Sequence, residues 1–195
     1  MTLRNFHLFF VVMLFSLFFD LKDSRGNSKV LIQAIKSANH IILLRHSLAP
    51  GFGDPNNFKL NDCQTQRNLS KTGVKQAKDI GVFLRKNGIK NVKIFSSEWC
   101  RCKDTAKGLG LGNYKTLSLL NSFFAKQNNG PQQTIDLEKW LNKLSLKSTT
   151  ILVTHQVNIT AFTGYYPSEG EMVLVRRLKI GKYSFIGSIK VEKLL

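Results

Sequence analysis

Apolar positions along the chain fall into short unbroken runs, separated by longer stretches in which they recur at helical spacing. Residues 40–45 hold a continuous Ile/Leu run of strand length, and residues 92–95 and 150–153 repeat the pattern. Between them, Val74, Ala77, Ile80, Gly81 and Leu84 lie near one helical face. Ser70 caps that helix, which spans residues 71–86, and Asn87-Gly88 stops it. A second helix is expected over residues 99–109, ended by Gly110 and Gly112. Residues 115–117 read as a short strand, residues 136–144 as an amphipathic helix and residues 157–162 as a short helix after the 150–153 strand. Two segments rich in Gly, Pro, Asn and other polar residues, 50–63 and 127–134, read as loops. Residues 171–179 and 183–189 flank Gly181 and read as a terminal hairpin. Strands alternating with helices predict a three-layer α/β/α fold with a mixed, mostly parallel central sheet.

The N-terminus departs from this pattern. Residues 6–19 form an apolar run led by Arg4 and His7 and closed by Asp20. A basic start and an apolar core of this length read as a secretory signal, and the run is short for a membrane span of roughly 20 residues. No Ala-x-Ala site follows, so an uncleaved anchor stands beside a cleaved signal. The expected organisation is residues 1–27 as signal peptide or membrane anchor and residues 28–195 as one globular domain. That places the protein outside the cytoplasm, in the periplasm or on the inner membrane through residues 6–19.

The composition fits a folded chain: 195 residues, 43% of them hydrophobic. A formal charge of +17 implies general attraction to polyanions. The basic residues are scattered and no nucleic-acid motif is present, so a solvated lysine-rich surface explains the charge and nucleic acid is not an expected partner. Three cysteines, Cys63, Cys100 and Cys102, accompany the export signal. Either one of the close pair bonds to Cys63, or all three are free thiols; the sequence leaves both open.

The candidate chemistry sits at the ends of the predicted strands. Arg45-His46 ends the first, Arg101 follows the second and His155 follows the third. Ligands in open α/β sheets bind outside the carboxyl ends of the strands. Arginine keeps its charge and presents a planar fork to oxyanions, and neutral imidazole is an available nucleophile near pH 7. Each residue taken alone is more often an ion-pair or structural residue. Together, at buried strand ends, they are costly without a charged partner.

In these four segments the chain resembles the histidine phosphatase (phosphoglycerate-mutase-like) superfamily. Arg45-His46 stands where that family has Arg-His-Gly, with Ser47 in place of the glycine. Arg101 with Thr105-Ala106 looks like its second signature, His155 like its second histidine, and Leu69-Ser70-Lys71-Thr72-Gly73 with Gln76-Ala77 like its helix start. Residues 49–55, 66–69 and 99–102 look closest to a subgroup of small exported bacterial proteins. The resemblance implies that His46 attacks phosphorus, that Arg45, Arg101 and protonated His155 hold the phosphoryl oxygens, and that water then releases phosphate. Ser96 or the backbone at Ser47 would orient the His46 ring. It implies neither metal nor cofactor, because arginines and histidines supply the positive charge. The implied function is an exported phosphomonoesterase acting on a small metabolite or a cell-surface glycolipid.

The general acid is less evident. The acid-phosphatase branch places Asp after its second histidine; here Gln156 stands there, which disfavours that branch. Asp136 and Glu138 fall in a predicted surface helix. Asp54 is preferred, because its loop follows the nucleophile, with Glu98 and Glu171 as alternatives. A site without an acid would suit a good leaving group such as phosphohistidine or an acyl phosphate. A non-catalytic anion-binding protein is the competing class, and retention of His46 argues against it.

Overall fold

In the computed structural model, which describes residues 20–179 and 181–193, the chain folds as a six-stranded sheet covered by helices on both faces. The apolar run over residues 6–19 lies outside the described residues. Among the described residues no helix is long and apolar enough to cross a membrane.

The strands are β1 (His40–Arg45), β2 (Val92–Ser96), β3 (Tyr114–Thr116), β4 (Thr149–Thr154), β5 (Met172–Lys179) and β6 (Lys182–Ile189). Their order is β3-β2-β4-β1-β5-β6. The first four run parallel, and β5 and β6 add antiparallel to β1, so the sheet is mixed and mostly parallel. The helices are α1 (Asp20–Lys36), α2 (Lys71–Lys86), α3 (Cys100–Gly108), α4 (Gly130–Lys143) and α5 (Gln156–Thr163).

The continuous apolar runs are explained by burial on both faces. Alternation sends Ile42, Leu44, Ile151, Val153, Met172 and Leu174 to the face covered by α1, α2 and α3. Ile41, Leu43, Leu152, Val173 and Val175 meet α4 and α5 on the other. Two helices approach closely through glycine: a Cβ on Gly81 of α2 would stand 1.8 Å from the Leu109 carbonyl oxygen that follows α3. Ser70 caps α2 as expected, its Oγ accepting from Gly73 N at 3.0 Å.

Three expectations are corrected. Residues 127–134 are not a loop. A 3₁₀ turn over Phe124–Asn129 runs into α4, which starts at Gly130, well before residue 136. Pro131 lies in the first turn, where a missing N–H costs nothing, so Gly-Pro opens this helix instead of breaking it. Val74 is 40% exposed, because the buried face of α2 is Gly73, Ala77, Ile80, Gly81 and Leu84. Helix α1 was not anticipated. Leu31 and Ile35, one turn apart, pack it into the core.

Candidate active site

Strands β2, β4 and β1 are neighbours, and the chain leaves their carboxyl ends at Ser97, His155 and His46. The four expected phosphate ligands therefore converge. Arg45, His46, Arg101 and His155 line one cavity of about 110 Å³, together with Asp54, Arg67, Gln156 and Tyr166 among others. The His46 and His155 rings stand 5.4 Å apart, edge to face.

His46 is 2% exposed. Its Nδ1 lies 2.9 Å from the Ser47 carbonyl oxygen, which accepts only, so Nδ1 carries the proton and Nε2 keeps its lone pair. Burial, then the nearby Arg101 charge, holds the His46 pKa well below the usual imidazole value. The ring is a neutral, oriented base. The Ser47 backbone is pinned in turn by its N–H, which donates to Thr105 Oγ1 at 2.9 Å, and Thr105 donates to Arg101 O. Thr105 thus ties the backbone beside His46 to α3. Ser96 Oγ donates to the Ser97 carbonyl and does not touch the ring.

His155 differs from the protonated donor expected of it. Burial, then the charges of Arg101 and His46, holds its pKa well below the usual value. Arg101 Nη2 lies 3.4 Å from His155 Nδ1 and must donate to it. That leaves the proton on Nε2, which donates to Ser97 Oγ at 2.9 Å. Ser97 donates onward to Asn121 Oδ1, and Asn121 Nδ2 donates to Glu98 Oε2. Glu98 therefore acts through this chain to fix the ring. Cys102 Sγ is 3.5 Å from the same Nε2, and burial pushes its thiol up to about 12, so it is no thiolate.

Asp54 lies in the cavity wall but grips Arg101. Its Oδ1 and Oδ2 accept from Arg101 Nη1 and Nη2 at 2.7 and 3.2 Å, and Oδ2 also accepts from Trp99 Nε1 at 2.9 Å. Burial alone would raise the Asp54 pKa. The hydrogen bonds from Arg101 and Trp99 outweigh it and hold the carboxyl below its ordinary value. This suits an orienting carboxylate rather than a proton donor. Glu171 is also committed, accepting from Tyr165 Oη, Ser188 Oγ and Ser168 N.

Sequence reasoning missed Arg67 and Glu169. Arg67 Nε donates to Gly53 O at 2.8 Å, and its Nη1 donates to Ala49 O, so it staples the loop that follows His46. Glu169 lies 3.6 Å from Arg45 and 3.8 Å from Arg67. Beside Arg67, Gln66 Oε1 accepts from Cys100 N at the start of α3. A disulfide joins Cys63 to Cys100 and leaves Cys102 free, which resolves the open pairing. Arg45 Nε and Arg101 Nε are buried without a partner. Buried cationic donors in that state favour an anion.

Residues 41–122 match the model of the histidine phosphatase superfamily, branch 1. Over those residues the chain is similar to the histidine phosphatase superfamily. That match contains Arg45, His46 and Arg101, and the fold brings His155 to them. Similar solved structures include the protein histidine phosphatase SixA complexed with tungstate, at 13% identity over 80% of this chain and 99% of that one, with a TM-score of 0.58. A phosphoserine phosphatase from Entamoeba histolytica, in complex with 3-phosphoglyceric acid, shares 13% identity over 80% and 99%, at 0.59. A mycobacterial glucosyl-3-phosphoglycerate phosphatase shares 15% identity over 76% and 97%, at 0.56. At these identities the likeness is one of fold. No curated protein matches the chain.

Proposed function

We propose that the protein is a phosphatase that hydrolyses a phosphate ester through a covalent phosphohistidine at His46. The observation that carries this reading is the Nδ1–H bond to the Ser47 carbonyl, which leaves Nε2 as a neutral nucleophile inside a cavity walled by guanidinium groups. A binding protein would need the arginines but not this ring orientation. Arg45 and Arg101 hold the equatorial oxygens, and His155 takes up a proton as the dianion enters and then donates to it. The solved structures of like fold named above are phosphatases by name, which agrees with this assignment.

The reading includes export. The apolar run at residues 6–19 and the Cys63–Cys100 disulfide both suit an oxidising compartment outside the cytoplasm. It does not include Asp54 as general acid, since both its oxygens are committed to Arg101 and Trp99.

The test is to incubate the full chain with a panel of phosphate esters beside His46→Ala. Wild type should release phosphate and yield acid-labile phosphate on one histidine when quenched. The variant should release none while still binding phosphate. Hydrolysis by the variant at a comparable rate would refute the covalent route.

A further inference from the structure

The cavity at His46, about 110 Å³, has room for a phosphoryl group and little else. A second, larger hollow lies beside it. It measures about 500 Å³ and shares Asp54, Ser122 and Phe124 with the first. Four half-buried aromatic residues, Phe58, Trp99, Phe123 and Phe124, line it together with polar side chains such as Asn56 and Gln133. Phe58 and Trp99 stack with centroids 5.1 Å apart and planes 23° off parallel, and Phe124 meets the exposed Phe52 edge to face at 4.9 Å.

We propose that this groove holds the leaving group of the substrate, and that the leaving group is a planar aromatic alcohol, so that the substrate is an aryl phosphate of one or two rings. The proposal rests on the phosphatase reading above and names its substrate class. The groove adjoins the phosphate cavity across Asp54, Ser122 and Phe124, which places it within reach of a group esterified to a phosphate at His46. Its volume lies in the range that encloses a small ligand. Flat aromatic walls favour a flat aromatic occupant through stacked and edge-to-face contact. The carboxylate between the two hollows, Asp54, has both oxygens tied to Arg101 and Trp99. A sugar or alkyl alcohol leaves as a strongly basic alkoxide and needs a proton at that point. An aryl oxide does not.

The chemistry balances without further reagents. The Nε2 lone pair of His46 forms the N–P bond, and the P–O(aryl) bond breaks with its electron pair on the aryl oxygen. The aryl oxide takes a proton from solvent water. A second water then attacks phosphorus, the N–P pair returns to Nε2, the proton that this water loses neutralises the hydroxide left by the first, and hydrogen phosphate leaves.

The test measures kcat/KM of the full chain for 1-naphthyl phosphate and for acetyl phosphate. Acetate also departs without a proton but is too small to fill the groove. Phe123→Ala and Phe58→Ala should each lower the ratio of the two values by about tenfold relative to wild type, the loss expected when an aromatic contact of about 1.4 kcal/mol is removed. A ratio is insensitive to the fraction of variant that folds. Phe123→Tyr, which keeps the ring, should keep the ratio. Ratios within twofold of wild type in both alanine variants would overturn the aryl assignment and leave the phosphatase reading standing. Wild type that hydrolyses neither ester would overturn both.

Discussion

In the proposed mechanism His46 attacks phosphorus only while Nε2 is unprotonated, and a single backbone carbonyl fixes which nitrogen carries the proton. Because burial and Arg101 hold its pKa well below the usual value, kcat/KM should stay level as pH falls through about 6.5, where an ordinary histidine would lose half its activity. A pH–rate profile measures this directly. Asp54 makes the second prediction at this scale. If it orients Arg101 and donates no proton, Asp54→Asn should cut kcat/KM by about the same factor for an alkyl and an aryl phosphate. That factor should be roughly 10–100, from a weakened charge-assisted contact. A loss confined to the alkyl ester would make Asp54 the acid after all.

At the scale of elements, the helices work as positioning devices. Gln76 of α2 accepts from Leu48 N at 2.9 Å, and Thr105 of α3 accepts from Ser47 N, so two helices clamp the two residues that follow His46. Their own spacing depends on Gly81. Gly81→Ala forces a Cβ into the Leu109 carbonyl and should destabilise the fold by about 1–3 kcal/mol, read by thermal or urea unfolding. These elements were legible where one periodicity ran its full length: the β1 run ends at Arg45, and the Ser70 cap and Asn87-Gly88 bound α2 on the expected residues. They were not legible where a residue type has two uses. Pro131 reads as a breaker in isolation and serves as a first-turn residue in α4. Arg45, His46, Arg101 and His155 could be read because each follows an apolar strand. Arg67 and Glu169 could not, because their partners are backbone carbonyls and side chains distant in sequence.

For the whole molecule, two buried neutral histidines carry a cost that depends on pH. As pH falls below about 6.5 the unfolded chain takes up protons that His46 and His155 in the fold refuse, so the unfolded state binds more protons and stability falls. Each histidine adds about 1.4 kcal/mol per pH unit in that window, until its own depressed pKa is reached. Melting curves between pH 8 and 5 should show the decline, and added phosphate should reduce it by favouring the protonated His155 ring. The Cys63–Cys100 bridge closes a loop of 37 residues that carries Arg67 to the start of α3. Replacing both cysteines by serine should cost about 2–4 kcal/mol of stability in unfolding experiments and lower turnover as Arg101 and Arg67 lose their common frame. The pocket's dimensions have a different origin. Its three supply points are the ends of adjacent strands β2, β4 and β1, whose spacing of roughly 4.8 Å is set by the backbone ladder and not by any side chain. The aromatic groove hangs instead on residues 54–58, Trp99 and residues 122–126, none of them in a strand. Grip and selectivity are therefore mechanically separate, and descendants of this chain can exchange one clientele for another by rewriting those segments while the sheet goes on holding phosphate at an unaltered gauge.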